Sequence, residues 1–467
     1  MQRRRVAQPP RVLRAPLVVH PTCPTRMNES VVNERVIAGG HRQRRHQTGV
    51  QVVNAHAGDS QWGTLVVELY TGANLRRAIH HRLLSPDAPM ARNLPANRIY
   101  DELGVPRVIH AGGPTTAHGG SLMLPETFEA MAEAGRAFVT LDTLNRRIGE
   151  YIAEVTGAEA GMVVAGAAAG MVISMAACMT GTDIAAVRRI PDTTGLQDEL
   201  VIQKIHRGPY SHMYSFTGAR FIEVGNVNSC LPEELEAAIT ERTAAVAFLF
   251  APGTPRGGLT LPQVADIAHA RGVPVIVDAS MTVPPRDNLK RFIREGADLV
   301  AMSGGKVIRG PQATGLLYGR ADLIEAAHLN NSPNHAIGRP SKIAKEEMVG
   351  LYAALRSYMD SDEEEMLREF HELVEIIVDD VGELDGVRAS VEFDDDRYFV
   401  PTAVIGFEPD RDGPEPQEVV DALLAGDPPI VVRFEPSRGL IEAASANLQP
   451  GEPEIIGQRL REILTAD

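Results

Sequence analysis

The chain has 467 residues, 44% of them hydrophobic, enough for two or three domains with sizeable cores, and it holds no run of eighteen apolar residues to span a membrane as a helix. Three cysteines, Cys23, Cys178 and Cys230, show neither pairing nor metal spacing, which argues against a disulfide or zinc framework and suits a reducing cytoplasm. Residues 1–89 carry 13 arginines against 5 acidic residues, net +8, leaving net −23 on residues 90–467 out of a total of −15; such an acidic body repels nucleic acid.

The first 89 residues, with "MQRRRVAQPPRVLRAP" and "GGHRQRRHQTG", keep neither a helical nor a strand period. They read as a disordered or non-native extension upstream of a start near Met90. A basic nucleic-acid arm is the functional alternative. From residue 140 helix-like segments alternate with short apolar runs, as a mostly parallel sheet covered by helices requires. "LNRRIGEYIAEVTG" (144–157) has apolar residues at Leu144, Ile148, Ile152 and Val155 and stops at Gly157, a helix with a glycine end. "GMVVAG" reads as a strand and "AAAGMVISMAACMTG" as the next helix.

"PEELEAAITER" (232–242) places Glu233 and Glu234 in a first turn, where the helix dipole favours them. "AAVAFLFAPG", "VPVIVDAS", "ADLVAMSGG" and "GLLYGR" read as strands, with "LPQVADIAHARG" and "NLKRFIREG" as intervening helices. The predicted organisation is α/β: a large domain over residues 90–340 including an N-terminal arm, then a smaller α+β domain over 341–467. The second opens on a helix at 341–359 with Lys342 and Lys345 on its exposed face. "DSDEEE" (360–365) follows as a solvated face or turn, then strands in "FVPTAVIGFEP" and "IVVRFEP" and a helix in "EPEIIGQRLREIL".

Only five lysines occur in the chain, and one, Lys306, sits in the glycine-rich loop "SGGKVIRGPQATG". Asp278 ends one strand and Lys306 follows the next, so a parallel sheet delivers both to its carboxyl rim. A buried amine is a nucleophile towards an aldehyde, and a carboxylate is the partner for a protonated pyridine nitrogen. Together they are the minimum equipment for pyridoxal phosphate. The turn and helix start at Gly166, Ala167, Ala168, Ala169 and Gly170 offers free backbone N–H groups to the phosphate, Ser303 can add a hydroxyl, and Ser280 stands beside Asp278. Each piece has an ordinary reading as well: a solvated loop lysine, a strand-end turn former, a tightly packed helix start. "GAAAG" lacks the Gly-Lys-Ser/Thr of a P-loop and is not a dinucleotide fingerprint.

From about residue 99 to 465 the chain resembles the fold-type I pyridoxal-phosphate enzymes, in the branch of selenocysteine synthase and D-glucosaminate-6-phosphate ammonia-lyase. The resemblance rests on "IYDELGVPRVIHAGGPTTAHGGSLM" (99–123), "VIVDAS", "SGGKVIRGPQATGLLYGR" and "GRPSKIAKEEMVGLYAAL". It implies Lys306 as the cofactor-linked lysine, Asp278 as the pyridinium partner and residues 166–170 as the phosphate loop. An asparagine is expected where this chain has His110, on a substrate-side loop. The segment 201–216 should present a group over the cofactor ring, with His206 as candidate for stacking or proton transfer; a histidine satisfied at a strand end is the alternative. Arg339 is a candidate for a substrate carboxylate or phosphate, against a solvated arginine before a helix.

The resemblance implies a small-molecule lyase performing α,β-elimination on a 2-amino acid or amino sugar acid, in a homodimer whose "GPQATG" loop (310–315) reaches the neighbouring cofactor phosphate. A selenocysteine synthase-like transferase acting on seryl-tRNA is the alternative, disfavoured by the acidic body; a non-catalytic pyridoxal-phosphate-binding module is a third reading. Cys230 as a persulfide carrier is discounted, since nothing nearby activates a thiolate, and His110 with His118 lacks a third metal ligand.

Overall fold

Strands such as "VIVD" and "LVAMS" are apolar at almost every position, as strands covered on both faces must be. The computed structural model describes residues 97–254 and 257–466; the expectation for residues 1–89 lies outside the described residues. In chain order the strands are β1 (Ile109–His110), β2 (Ala160–Val164), β3 (Glu199–Gln203), β4 (Arg220–Val224), β5 (Thr243–Leu249), β6 (Val275–Asp278), β7 (Leu299–Ser303), β8 (Gly315–Gly319), β9 (Val387–Glu392), β10 (Thr402–Phe407), β11 (Ile430–Val431), β12 (Arg433–Glu435) and β13 (Leu440–Ala444).

Seven of them form one sheet in the order β2-β8-β7-β6-β5-β3-β4. Only β8 runs against its neighbours, so the other six point their carboxyl ends at one edge. This is the fold-type I α/β architecture. Alternation along the strands divides the core in two. Val163, Val201, Val246, Val277 and Val300 face one layer, packed by helices that include Leu141–Thr156 and Lys345–Asp360. Met162, Leu200, Ile202, Ile276 and Ala301 face the other, packed by Gly166–Thr180 and Ala321–Asn330. The helix expected at 144–157 spans Leu141–Thr156 and ends on Gly157 in the left-handed conformation. Buried Asn145 pins it to β2, its Nδ2 donating to the Val163 carbonyl at 3.0 Å and its Oδ1 accepting from the Val163 amide at 2.7 Å.

A second, antiparallel sheet, β12-β13-β10-β9, packs on the helices Glu363–Gly382, Pro416–Leu424 and Glu452–Leu464 around a third core. That core also takes Ile109 and Ala111, because β1 pairs in parallel with β11.

Two expectations for the helix after Arg339 are corrected. It starts at Lys345, where Glu347 accepts from the Ala344 amide at 2.9 Å. Lys345 is not on an exposed face: its Nζ donates to the Ala134 carbonyl at 2.9 Å and pairs with Glu346. Within the acidic run Asp362 caps the helix Glu363–Gly382, accepting from the amides of Glu364 and Glu365.

Candidate active site

The shared strand direction brings β2, β3, β5, β6 and β7 to one edge, the place where open α/β sheets hold ligands. Asp278 closes β6 there, in register with Leu249 on one side and Ala301 on the other. Alternation puts Asp278 and Ser303 on the Ile276 and Ala301 face. Lys306 lies three residues beyond β7.

Asp278 is 6% exposed. Its Oδ1 accepts from the Ser280 amide at 3.1 Å, and it forms no ion pair with a described residue. Burial pushes its pKa up, opposed by the Ser280 hydrogen bonds and the positive charge of Lys306. Lys306 is displaced the other way: burial lowers its pKa, and Asp278 partly restores it. Burial disfavours the charged form of each, and for the amine this is the direction that makes it nucleophilic below its ordinary range.

The helix Gly166–Thr180 starts at this edge directly after β2. Gly166 has φ +73°, and Ala165 at the N-cap supplies no side-chain bond, so no cap competes for the first-turn N–H groups. The helix start lies against β8, since a Cβ on Gly315 would stand 2.6 Å from the Gly166 carbonyl carbon and 2.9 Å from the Ala167 nitrogen. Gly166 to Gly170, Asp278, Ser280, Ser303 and Lys306 are thus gathered at one edge by the strands that carry them.

The edge also holds residues that sequence reasoning passed over. Tyr214 is 2% exposed and its hydroxyl has no hydrogen-bond partner among the described residues. It packs in the same core layer as Ile276 and Ala301, and burial together with the negative charge of Asp278 pushes its pKa up. The segment 115–122 covers the lysine loop. Ser121 Oγ donates to the Lys306 carbonyl at 2.6 Å, Arg309 Nε to the Leu122 carbonyl at 2.7 Å and Gln312 Nε2 to the Thr116 carbonyl at 2.9 Å. Arg309 holds a left-handed backbone at φ +60°, a conformation that costs a side-chain-bearing residue energy and persists only where neighbours enforce it.

His206 is corrected. It follows β3 to the right edge but packs on the other face of the sheet, its ring 4.2 Å from Phe248 in an edge-on arrangement and its Nδ1 3.4 Å from Gln203 Nε2. Gln203 alternates onto the Val201 face, and the chain continues on that side. Burial alone lowers the His206 pKa to about 4, so this is a buried neutral histidine apart from Asp278 and Lys306.

Arg339 is also corrected. Its exposed side chain lines a cavity of about 530 Å³ with Val187, Arg188, Ile190 and His335. The Gly338 amide donates to the Asn330 carbonyl at 2.8 Å, and Asn330 Nδ2 donates to Thr180 Oγ1 at 2.8 Å. Thr180 ends the 15-residue helix that begins at Gly166, about 22 Å away at the ordinary helical rise. Within one chain Arg339 does not reach the Lys306 edge.

His110 sits in β1, paired with Val431. Thr115 Oγ1 lies 3.4 Å from its Nε2 and 3.1 Å from His118 Nδ1. Burial and His118 lower the His110 pKa to about 4.

These residues fit pyridoxal phosphate. A half-buried amine stands ready for the aldehyde, a buried carboxylate without a cationic salt-bridge partner suits a protonated ring nitrogen, and an uncapped helix start suits the phosphate. Unpaired Tyr214 Oη shows that hydrogen-bonding capacity beneath the edge is unfilled.

A family model described as L-seryl-tRNA selenium transferase matches residues 142–384. The 5'-C-glycyluridine monooxygenase-decarboxylase of Streptomyces sp is 34% identical over 373 residues, 78% of this chain and 92% of that protein. The D-glucosaminate-6-phosphate ammonia lyase of Salmonella typhimurium (strain 14028s / SGSC 2262) is 31% identical over 371 residues, 78% of this chain and 97% of that one. A solved structure of D-glucosaminate-6-phosphate ammonia-lyase, also 31% identical, superposes with a TM-score of 0.69 and covers 79% of this chain and 99% of that chain.

Proposed function

The chain belongs to the L-seryl-tRNA selenium transferase family and is a pyridoxal-phosphate enzyme; from that premise we propose that it is a lyase removing the β-substituent of a small 2-amino acid or amino sugar acid. The observation that carries this reading is the delivery of the buried Asp278 carboxyl and the half-buried Lys306 amine to the sheet edge at which an uncapped helix starts.

Bound pyridoxal phosphate supplies a sink for the electron pair left at the substrate Cα. Lys306 Nζ would be the amine that holds the aldehyde and, with a substrate amine in its place, the base for the α-proton. Asp278 would keep a proton on the ring nitrogen. The first-turn amides of Gly166–Thr180 and the Ser303 hydroxyl would hold the phosphate. Loss of the β-group with its bonding electrons would leave an enamine, which takes a proton at Cβ to become an imine that water converts to a 2-keto acid and ammonia.

Amino sugar acids carrying a phosphate, such as the D-glucosaminate 6-phosphate in the name of the 31% identical relative, are the first substrates to assay. Ammonia and 2-keto acid released in equal amounts, with solvent deuterium entering at Cα, support the lyase. Absence of Cα exchange with every amino acid offered leaves the non-catalytic binding reading. A second reading, oxidative decarboxylation of a glycyl-bearing substrate, is favoured by the 34% identical relative; oxygen uptake with carbon dioxide release distinguishes it. Transfer to seryl-tRNA is disfavoured by the net charge of −23 on residues 90–467, and unchanged turnover after deletion of residues 1–89 would remove the basic route to it.

A homodimer is part of the proposal. Ile99, Leu103, Leu122, Phe128 and Phe138 are exposed on the opening segment, more apolar surface than a lone soluble chain usually leaves in one stretch. Leu122 accepts the Arg309 bond, and Gln312 and Ala313 of the 310–315 loop are exposed nearby in sequence, which supports a dimer surface close to Lys306.

A further inference from the structure

On the reading of Lys306 as the cofactor lysine, we infer that Ser121 is its positioning residue, and that the segment 115–122 ties the position of Lys306 to the C-terminal sheet through Asn447.

Ser121 Oγ donates to the Lys306 carbonyl at 2.6 Å, with the Gly305 carbonyl 3.2 Å away as a second acceptor. The two backbones touch one residue earlier, since a Cβ on Gly120 would stand 2.7 Å from the Gly305 oxygen. Loop 304–314 is closed at its base, where the Gly304 amide donates to the Thr314 carbonyl and the Gly310 amide to the Gly304 carbonyl, both at 2.9 Å, and the Arg309 amide donates to the Lys306 carbonyl at 2.8 Å. Gly305 and Gln312 are stacked so closely that a Cβ on Gly305 would come 2.5 Å from Gln312 Cα, and Arg309 accepts its left-handed backbone within the same turn. Those bonds shape the loop, and contacts from outside fix where it sits. Three bonds join it to segment 115–122: Ser121 donates to Lys306, Arg309 to Leu122 and Gln312 to Thr116.

The far side of the segment is fixed to the second sheet. Asn447 Nδ2 donates to the Gly120 carbonyl at 3.0 Å, just after β13, and the Ala444 amide donates to the Ala111 carbonyl at 2.7 Å. Asn447 Oδ1 is buried without a partner, so the side chain is spent on this single bond. One chain of contacts therefore runs from β13 through Asn447, Gly120 and Ser121 to the Lys306 carbonyl. A shift of the C-terminal sheet moves the lysine backbone, and the amine with it.

The test uses the full chain, loaded with pyridoxal phosphate and then stripped. Its readout is the rate at which the stripped protein recaptures pyridoxal phosphate in a form that borohydride fixes, followed from pH 6 to 10. Ser121→Ala is expected to slow recapture about fivefold to tenfold, the worth of one intramolecular hydrogen bond. The profile should also move to higher pH, because a loosened loop lets water reach the amine. Ser121→Thr restores both, and the melting temperatures agree. Asn447→Ala, with no contact to Lys306, shifts the same profile in the same direction, and the double variant is no slower than the slower single one. A wild-type rate and profile in Ser121→Ala overturn the positioning role. A wild-type profile in Asn447→Ala, or strictly multiplicative slowing in the double variant, overturns the coupling. A wild-type chain that takes up no pyridoxal phosphate at all fails at the prior step and sinks the lyase reading together with this inference.

Discussion

Asp278 and Lys306 reach one edge from adjacent strands, and each moderates the burial of the other. Asp278 is paired with Ala301 of β7, the strand that leads into the lysine loop. Burial pushes the carboxyl pKa up and the amine pKa down, and in both cases the partner's charge opposes the shift.

Replacing Lys306 is the most direct check. Lys306→Ala should leave a chain that binds pyridoxal phosphate only reversibly, with no cofactor fixed by borohydride and turnover reduced by several orders of magnitude. Lys306→Arg should do no better, since a guanidinium stays charged at any accessible pH. Visible absorbance before and after borohydride reads both outcomes, and covalent fixation in Lys306→Ala would remove the lysine from its role.

Asp278→Asn should separate function from stability. The folded carboxyl holds its proton more tightly than the unfolded one, so stability falls as pH rises out of the ordinary carboxyl range near 3.9 and the buried group is forced to ionise. Removing that charge is expected to raise the melting temperature of the stripped protein at pH 7. Turnover should fall at least about a hundredfold, because the ring nitrogen loses its anionic partner. Paired melting and activity measurements decide it; a lower melting temperature would contradict the account of burial.

Tyr214→Phe keeps the packing and removes the unpaired hydroxyl. If that hydroxyl serves Asp278 once a cofactor is bound, pyridoxal phosphate affinity should fall about threefold to tenfold, the range of one hydrogen bond, while the stripped protein gains stability. Equal affinity in variant and wild type would leave Tyr214 as core packing.

Acid should unfold this protein in part through its histidines. Burial lowers the pKa of His110, His206 and His328 to about 4, below the unfolded value of about 6.5. Between those values the unfolded chain binds protons that the folded chain refuses. Stability is therefore lost as pH falls from about 6.5 towards 4, each histidine contributing up to about 1.4 kcal/mol per pH unit. Urea unfolding at pH 7, 6 and 5 gives the slope. His206→Phe should reduce that slope and leave the profile of cofactor recapture unchanged, since His206 faces away from Lys306.

The exposed apolar surface of the opening segment predicts association. Sedimentation should show a dimer, and Leu103→Asp with Phe138→Asp should weaken it and lower turnover together. A fully active monomer would contradict both the dimer and its proximity to the active edge.

The sequence by itself determined the α/β alternation and the relation of Asp278 to Lys306. Both are carried by local signals: apolar runs of strand length, helical periods closed at Gly157, and a lysine one helix and one strand after the aspartate. It also marked Gly166–Thr180 as a helix opening on small residues. Its local signals could not choose a face or an end. His206 follows β3 to the correct edge, yet the continuation of the chain beyond Gln203 sends it to the Phe248 side; Arg339 has a motif, but the turn at Asn330 anchors it beside Thr180. Ser121 and Asn447 left no local trace at all. Their partners lie 185 and 327 residues away, and a hydrogen bond across that distance exists only after both sheets have packed and brought the two backbones together.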